Sequence, residues 1–373
     1  MLKGFDGYGN YATSIATPYA SINARSRTFI QYQITEEGEN FVEYPGFNNN
    51  GGCFVAAGFV DSGWAASFAD INQTAFMGWR TEIPGDTPGG YIRSVWAFFD
   101  QIQPAGQFTF AFNFDKTISV YRGGLGLLNT PTVGTLIFTS APIDFEFDTQ
   151  LYLEVGFKID SVDGWLIIRI NNKEVVHLEG VNIQNSSFNT FSGAAIVLEG
   201  FNVFDARRVS DFYYCDDVPG PDLDMPCDTF LGEVTVLTFF PLFDGPTQFA
   251  RQPDLGQSRV NVGEANMDSD ATYNFSSTPG QEDHFWFGSI PQMTINLIFG
   301  VQLVGAYRKD DAGYRTVKQL LILNGTEYYG VEQTLSDTYY SYFVDLFLVN
   351  PQTGRSWGDA AVNTLQGGYR LAA

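Results

Sequence analysis

The chain has 373 residues, 16% of them aromatic and only 17% charged, so it holds enough apolar material for a large core and is not globally disordered. Forty-two acidic residues face 20 basic ones, giving a net charge of −22. The few basic clusters (Arg25/Arg27, Arg207-Arg208, Arg308-Lys309) are scattered, which argues against binding nucleic acid or an anionic membrane surface. The start, MLKGFDGYGNYATS, has no apolar h-region, and no uninterrupted apolar run has membrane-spanning length, so a soluble chain with no membrane insertion and no secretory signal is expected.

Thirty-four Phe, 19 Tyr and 39 Gly favour strands and tight turns. Phe108–Phe114 alternates Phe with small or polar residues, a period-2 strand signal. Strands follow at Thr117–Gly123, Gly134–Ser140 and Leu151–Ile159, and Gly164–Gly180 reads as a hairpin turning at Asn171-Asn172. Pro and Asp break the rhythm over Asp211–Phe230, which places a boundary or strapping loop there. Leu231–Phe243 is again strand-like, Asp254–Gln281 reads as an extended arm or long loop, and strands resume after Met293 and Thr316. The one short helix is expected around Trp357–Leu365. No fixed-period repeat or low-complexity tract is present. The pattern predicts an all-β chain: a jelly-roll β-sandwich over residues 1–215, then a second β-rich domain over 216–373.

Motifs for chemistry are incomplete. Gly354-Arg355-Ser356-Trp357-Gly358 fits G-x-S-x-G, but both histidines, His177 and His284, precede Ser356, whereas a nucleophile elbow needs a later His. Glu146 and Asp148, at i and i+2 on an expected strand, would share a face as glucanase carboxylates do. The third acid is missing at Gln150 and Leu151, and the next is Glu154. Asp216, Asp217, Asp222, Asp224 and Asp228 could offer oxygen ligands to Ca²⁺ but lack the EF-hand Gly and terminal Glu, so they read as solvated turn carboxylates. Gly7-x-Gly9-x-x-Ala12 has no βαβ context for a dinucleotide. Two isolated histidines make no metal motif, and His177 reads as a surface residue. Cys53, Cys215 and Cys227 are too few for a disulfide scaffold and are expected to be reduced and buried. The sequons at Asn72, Asn185, Asn274 and Asn324 read as chance. Trp64, Trp79, Trp96, Trp165, Trp286 and Trp357 could stack on sugar rings if exposed, with core packing the ordinary role for most. Catalytic, cofactor and metal residues are therefore not assigned.

Gly4-Phe5-Asp6-Gly7-Tyr8 and Gly164-Trp165-Leu166-Ile167-Ile168-Arg169-Ile170-Asn171-Asn172 resemble elements of concanavalin A-like (LamG-type) domains in tailed-bacteriophage structural proteins. The segments that follow in such proteins are similar to Asp211–Asp217, Phe230–Val234, Gly300-Val301-Gln302, Ala306–Gly313, Asn350–Gly354 and Trp357–Gly368. The resemblance does not extend over Asn48–Phe68 and Trp79–Phe99. It implies a concanavalin A-like lectin/glucanase sandwich in a virion structural protein, not an enzyme, with no cofactor. A tail-attached fibre or adhesion component is the first expectation, a capsid decoration (cement) protein the second and a polysaccharide-degrading glycosidase the third. The implied partners are other virion proteins, further copies of the chain in a homo-oligomer, and a host surface glycan.

Overall fold

The computed structural model describes residues 1–6, 30–34, 39–43, 53–57, 63–83, 93–100, 103–113, 115–123, 134–185, 187–199, 207–221, 228–263, 270–291, 297–338 and 341–373. The expected all-β class holds: a two-sheet, jelly-roll-like β-sandwich is followed by a second β-rich region. From edge to edge, the first sheet runs Lys173–Val181, Gly164–Ile170, Gln150–Lys158, Thr74–Glu82, Arg207–Asp216, Cys53–Ala57 and Glu39–Glu43. Leu2–Asp6 also pairs with Arg207–Asp216. The second sheet runs Thr135–Thr139, Ile118–Arg122, Gln103–Phe112, Arg93–Asp100, Phe191–Glu199, Gly63–Asn72 and Ile30–Ile34.

Period-2 sequence explains why these sheets stack. Met77 and Trp79, Leu153, Val155 and Phe157, and Leu166 and Ile168 face inward from the first sheet and meet Phe98, Phe108, Phe110 and Phe112 from the second. The hairpin at Asn171-Asn172 forms as expected, with both residues at positive φ (50° and 64°), the two-residue turn that matches strand twist.

Three expectations change. Asp211–Asp216 does not leave the sandwich but lies in a central strand. The rhythm breaks there because the register shifts between Ser210 and Tyr213, with Asp211 at φ 51°. Leu231–Phe243 is strand only from Pro241 onward (Pro241–Thr247). Its first part crosses the outer face of the first sheet, where its backbone donors bond to side chains instead of a ladder. Leu231 N donates to Tyr213 Oη (3.1 Å), Gly232 N to Glu154 Oε1 (2.8 Å) and Val236 N to Asp211 Oδ1 (2.9 Å). Arg169 stacks on the Phe230 ring at 4.0 Å. The described parts of Asp254–Gln281 are folded back, because Asp244 accepts from Ser258 N and Arg259 N, and Asn261 Nδ2 donates to Gln252, Pro253 and Tyr273 carbonyls. The short helix is Asp359–Val362, inside its expected range.

The strap buries Glu154, which also accepts from Tyr213 Oη at 2.5 Å. Burial pushes the Glu154 carboxyl up, more than the Tyr213 and Gly232 hydrogen bonds and nearby Arg169 pull it down; Glu233 adds to the rise. A carboxyl that holds its proton more tightly when folded contributes stability below its unfolded pKa, about 4.3, and that contribution is lost as pH rises through the folded value. Glu154→Gln keeps a carbonyl oxygen for both donors and removes the charge. It is expected to raise the melting temperature, relative to wild type, more at about pH 8 than at about pH 4. Equal shifts at both pH values would show that the ionised carboxylate carries no penalty.

The second region centres on a sheet ordered Pro241–Thr247, Glu282–Phe287, Gln366–Leu371, Thr316–Leu323 and Thr326–Tyr329, with Gln333–Thr334 also paired to Thr316–Leu323. One face packs Phe285, Val317, Tyr369 and Leu321 into two apolar clusters with Phe343, Trp357 and Leu365. Val301–Tyr307 and Ser341–Phe347 form a separate ladder, and Tyr307 and Phe343, one from each strand, stack at 5.7 Å.

Candidate functional site

The strand Glu282–Phe287 reads EDHFWF, and its alternation sorts chemistry by face. Asp283, Phe285 and Phe287 point inward; Glu282, His284 and Trp286 point the other way. Register extends this outer face: Glu282 lies opposite Arg370, His284 opposite Gly368 and Trp286 opposite Gln366. One strand further, Lys318, Leu320 and Ile322 continue the rows. The hairpin beyond, turning at Asn324-Gly325, brings Glu327 and Tyr329 to the far edge. On the near edge Phe243 lies opposite Trp286.

The face has buried Leu320 and Ile322 and the mostly buried His284 toward its middle, and exposed aromatics at its borders. Trp286 is 41% exposed, Phe243 61% and Tyr329 38%. Trp286 shares its cross-strand row with Glu327, and Tyr329 shares the next row with His284, three strands away. In the row of Glu282, Arg370 Nη1 donates to Tyr329 Oη at 2.8 Å and lies 3.9 Å from Glu282 Oε2. Tyr329 Oη donates to Glu327 Oε2, and the Arg370 guanidinium sits over the Tyr329 ring at 5.6 Å. Burial and the bond to Glu327 push the Tyr329 phenol up, and the contact with Tyr329 pushes the Arg370 guanidinium up. His284 Nε2 stands 3.1 Å from Glu282 Oε1. Two glycines frame His284: a Cβ at Gly245 would lie 3.1 Å from its Cβ, and a Cβ at Gly368 would lie 2.0 Å from the Asp283 carbonyl oxygen. Such a surface can stack flat apolar rings and exchange hydrogen bonds with hydroxyl groups beside them.

The other candidate residues are dispersed. Glu146 and Asp148 sit in an exposed loop rather than on a strand, with Asp148 at φ 56°, and Glu154 is sequestered under the strap, so the glucanase-like carboxylates do not converge. Ser356 lies between two β-bridges, Asn350–Arg355 and Ile298–Trp357, and not on a strand-to-helix elbow. Asp216 is buried and paired with Lys3 at 2.9 Å, which corrects its reading as a solvated carboxylate; Asp217 is exposed. Asp222, Asp224, Cys227 and the Gly7–Ala12 motif fall outside the described residues. His177 is on the surface as expected, between Glu174 (2.8 Å) and Glu179 (3.1 Å), which push its imidazole up. Cys215 is a buried thiol. Asn274 of one sequon is committed to Ser258 O, Asp283 and Tyr369.

Among the tryptophans, Trp79 and Trp357 are core residues, and Trp165 packs on Phe76 at 5.7 Å. The side chains of Trp64 and Trp96 are outside the described set. Trp286 is the exposed one among those described. Sequence reading passed over the Glu282/His284/Glu327 grouping. The E-x-H spacing on a strand was the available signal, while Glu327 arrives through a hairpin register that the sequence does not state.

No family model and no curated protein matches the chain. Solved structures do. An alginate lyase is 11% identical, covering 56% of this chain and 95% of its own, at a TM-score of 0.37. The carbohydrate recognition domain of Emp46p is 9% identical over 49% of this chain and 87% of its own, TM-score 0.33. A carbohydrate-binding module from Bacillus subtilis is 8% identical over 50% of this chain and 97% of its own, TM-score 0.32. The likeness is one of architecture.

Proposed function

We propose that this chain is a tail-attached adhesion component of a bacteriophage particle that binds host surface polysaccharide through the outer face of its second region. The observation that carries the binding role is the exposed row of Phe243 and Trp286 beside Gln366, His284 and Arg370. Exposed aromatic surface next to fixed donors and acceptors suits a pyranose, which has apolar faces and a hydroxyl rim. The phage context rests on the ordered sequence marks from Gly4 to Gly368. The net charge of −22 suits a neutral or basic glycan over a strongly acidic one. Particle proteins act in multiple copies, so homo-oligomerisation belongs to this reading and multiplies weak sites into firm attachment.

Trp286→Ala is expected to weaken binding of the full chain to host envelope polysaccharide by roughly 2 kcal/mol, about thirtyfold in Kd. As a surface change it should alter unfolding free energy by no more than about 0.5 kcal/mol. Glycan-array binding followed by calorimetry measures the first and urea unfolding the second. Unaltered glycan affinity in Trp286→Ala would refute the site. Cryo-electron microscopy of particles placing the chain on the shell would refute the tail assignment.

A further inference from the structure

We propose that Glu282, His284 and Glu327 form a binding site for one divalent transition-metal ion of the zinc class. One ligand atom from each lies within 4.8 Å of the others. A metal at their centre would need only small side-chain rotations to draw them to the ~2.0–2.2 Å of zinc–nitrogen and zinc–oxygen bonds. One imidazole nitrogen with two carboxylates is a mixed set that suits zinc better than calcium or magnesium, which take oxygen alone.

A second observation points to a ligand. His284 is only 8% exposed, and its Nε2 makes no hydrogen bond despite standing 3.1 Å from Glu282 Oε1. Glu282 Oε2 is likewise buried without a hydrogen-bond partner. Buried polar atoms without hydrogen bonds are costly, and these two have only ion-pair contacts (His284 Nε2 with Glu282 Oε1, Glu282 Oε2 with Arg370), so side by side, next to the second carboxylate, they mark a place that an ion would complete. The backbone supports this. Gly245 and Gly368 flank His284, and Gly368 leaves no side chain directly beside it on the neighbouring strand. Arg370, 3.9 Å from Glu282 and bonded to Tyr329, supplies the positive charge when no ion does. Three protein ligands leave a fourth zinc position open on the same face as Trp286.

His177 is the contrast. It too has two glutamates, but it is exposed and both ring nitrogens are already engaged by them. The chain has only these two histidines, so imidazole-dependent binding must map to one or the other.

The test is zinc binding by the chelator-treated, dialysed full-length protein, read by calorimetry and by metal content per chain. One tight zinc per chain is expected. It should be lost in His284→Ala and weakened more than about tenfold in Glu327→Gln, while His177→Ala retains it. Because Glu327 is exposed, Glu327→Gln keeps the test valid if His284→Ala fails to fold. X-ray absorption of the zinc complex should show one nitrogen with oxygen ligands. Absence of stoichiometric zinc, unchanged affinity in Glu327→Gln, or loss in His177→Ala would each overturn the site. The readout is separate from glycan binding: Trp286→Ala should hold zinc with unchanged affinity, so either proposal can fail without the other.

Discussion

Phe157→Ala should lower the unfolding free energy by about 3–5 kcal/mol. Phe157 is fully buried and projects from the first sheet into three rings of the second: Phe98 at 5.0 Å, Phe108 at 4.9 Å and Phe191 at 4.8 Å. These rings come from three adjacent strands, Gln103–Phe112, Arg93–Asp100 and Phe191–Glu199. Ala would lose the transfer free energy of the ring and leave a cavity that none of the strands can close alone, since each is tied to its neighbours by a ladder. Three edge-to-face contacts would go with it. Phe157→Leu, which refills most of the volume, should cost far less. Urea unfolding of both variants measures the difference. A loss below ~1.5 kcal/mol in the Ala variant would mean that the sheets do not meet at this ring.

Asp283→Ala is the second large effect, at about 3–5 kcal/mol. The side chain is fully buried and accepts four hydrogen bonds. Oδ1 takes Gln248 N at 2.7 Å and Phe249 N at 2.9 Å; Oδ2 takes Tyr369 Oη at 3.1 Å and Asn274 Nδ2 at 3.3 Å. Truncation would strand several donors away from water, at roughly 1–3 kcal/mol each before relaxation. Asp283→Asn should be milder, because its carbonyl oxygen can still serve the two backbone donors. Asp283 lies between Glu282 and His284, so the Ala variant should also release zinc and glycan together, unlike Trp286→Ala or Glu327→Gln, each of which is aimed at one of the two. If Asp283→Ala unfolds in urea within ~1 kcal/mol of wild type, the buried carboxylate is not what joins these segments.

Legibility in the sequence followed the range of the interactions. The Phe-rich alternation at Phe108–Phe112 and the Asn171-Asn172 turn are local, and both were readable. Leu231–Val236 looked like a strand because apolar residues alternate there. Its backbone instead bonds to Tyr213, Glu154 and Asp211, side chains that lie near or beyond 20 residues away and carry no local signature. Tyr152 and Glu154 had the spacing of outward-facing residues, and they do face outward, but into the strap rather than water. Trp286 was readable as a candidate, while its exposure depended on which face the third sheet turns to the core. The Glu282/His284/Glu327 site was the least legible, since it joins two strands that are not neighbours in the sheet.

The placement of Arg207–Asp216 bears on how the chain is made. This strand fills the middle of the first sheet, between Thr74–Glu82 on one side and Leu2–Asp6 with Cys53–Ala57 on the other. During synthesis the earlier strands must wait, with Thr74–Glu82 presenting an open edge, until more than half of the polypeptide has left the ribosome. Translation stalled just before Arg207 would therefore release a sticky, half-built sheet, and the aggregation hazard ends when the keystone strand slides in.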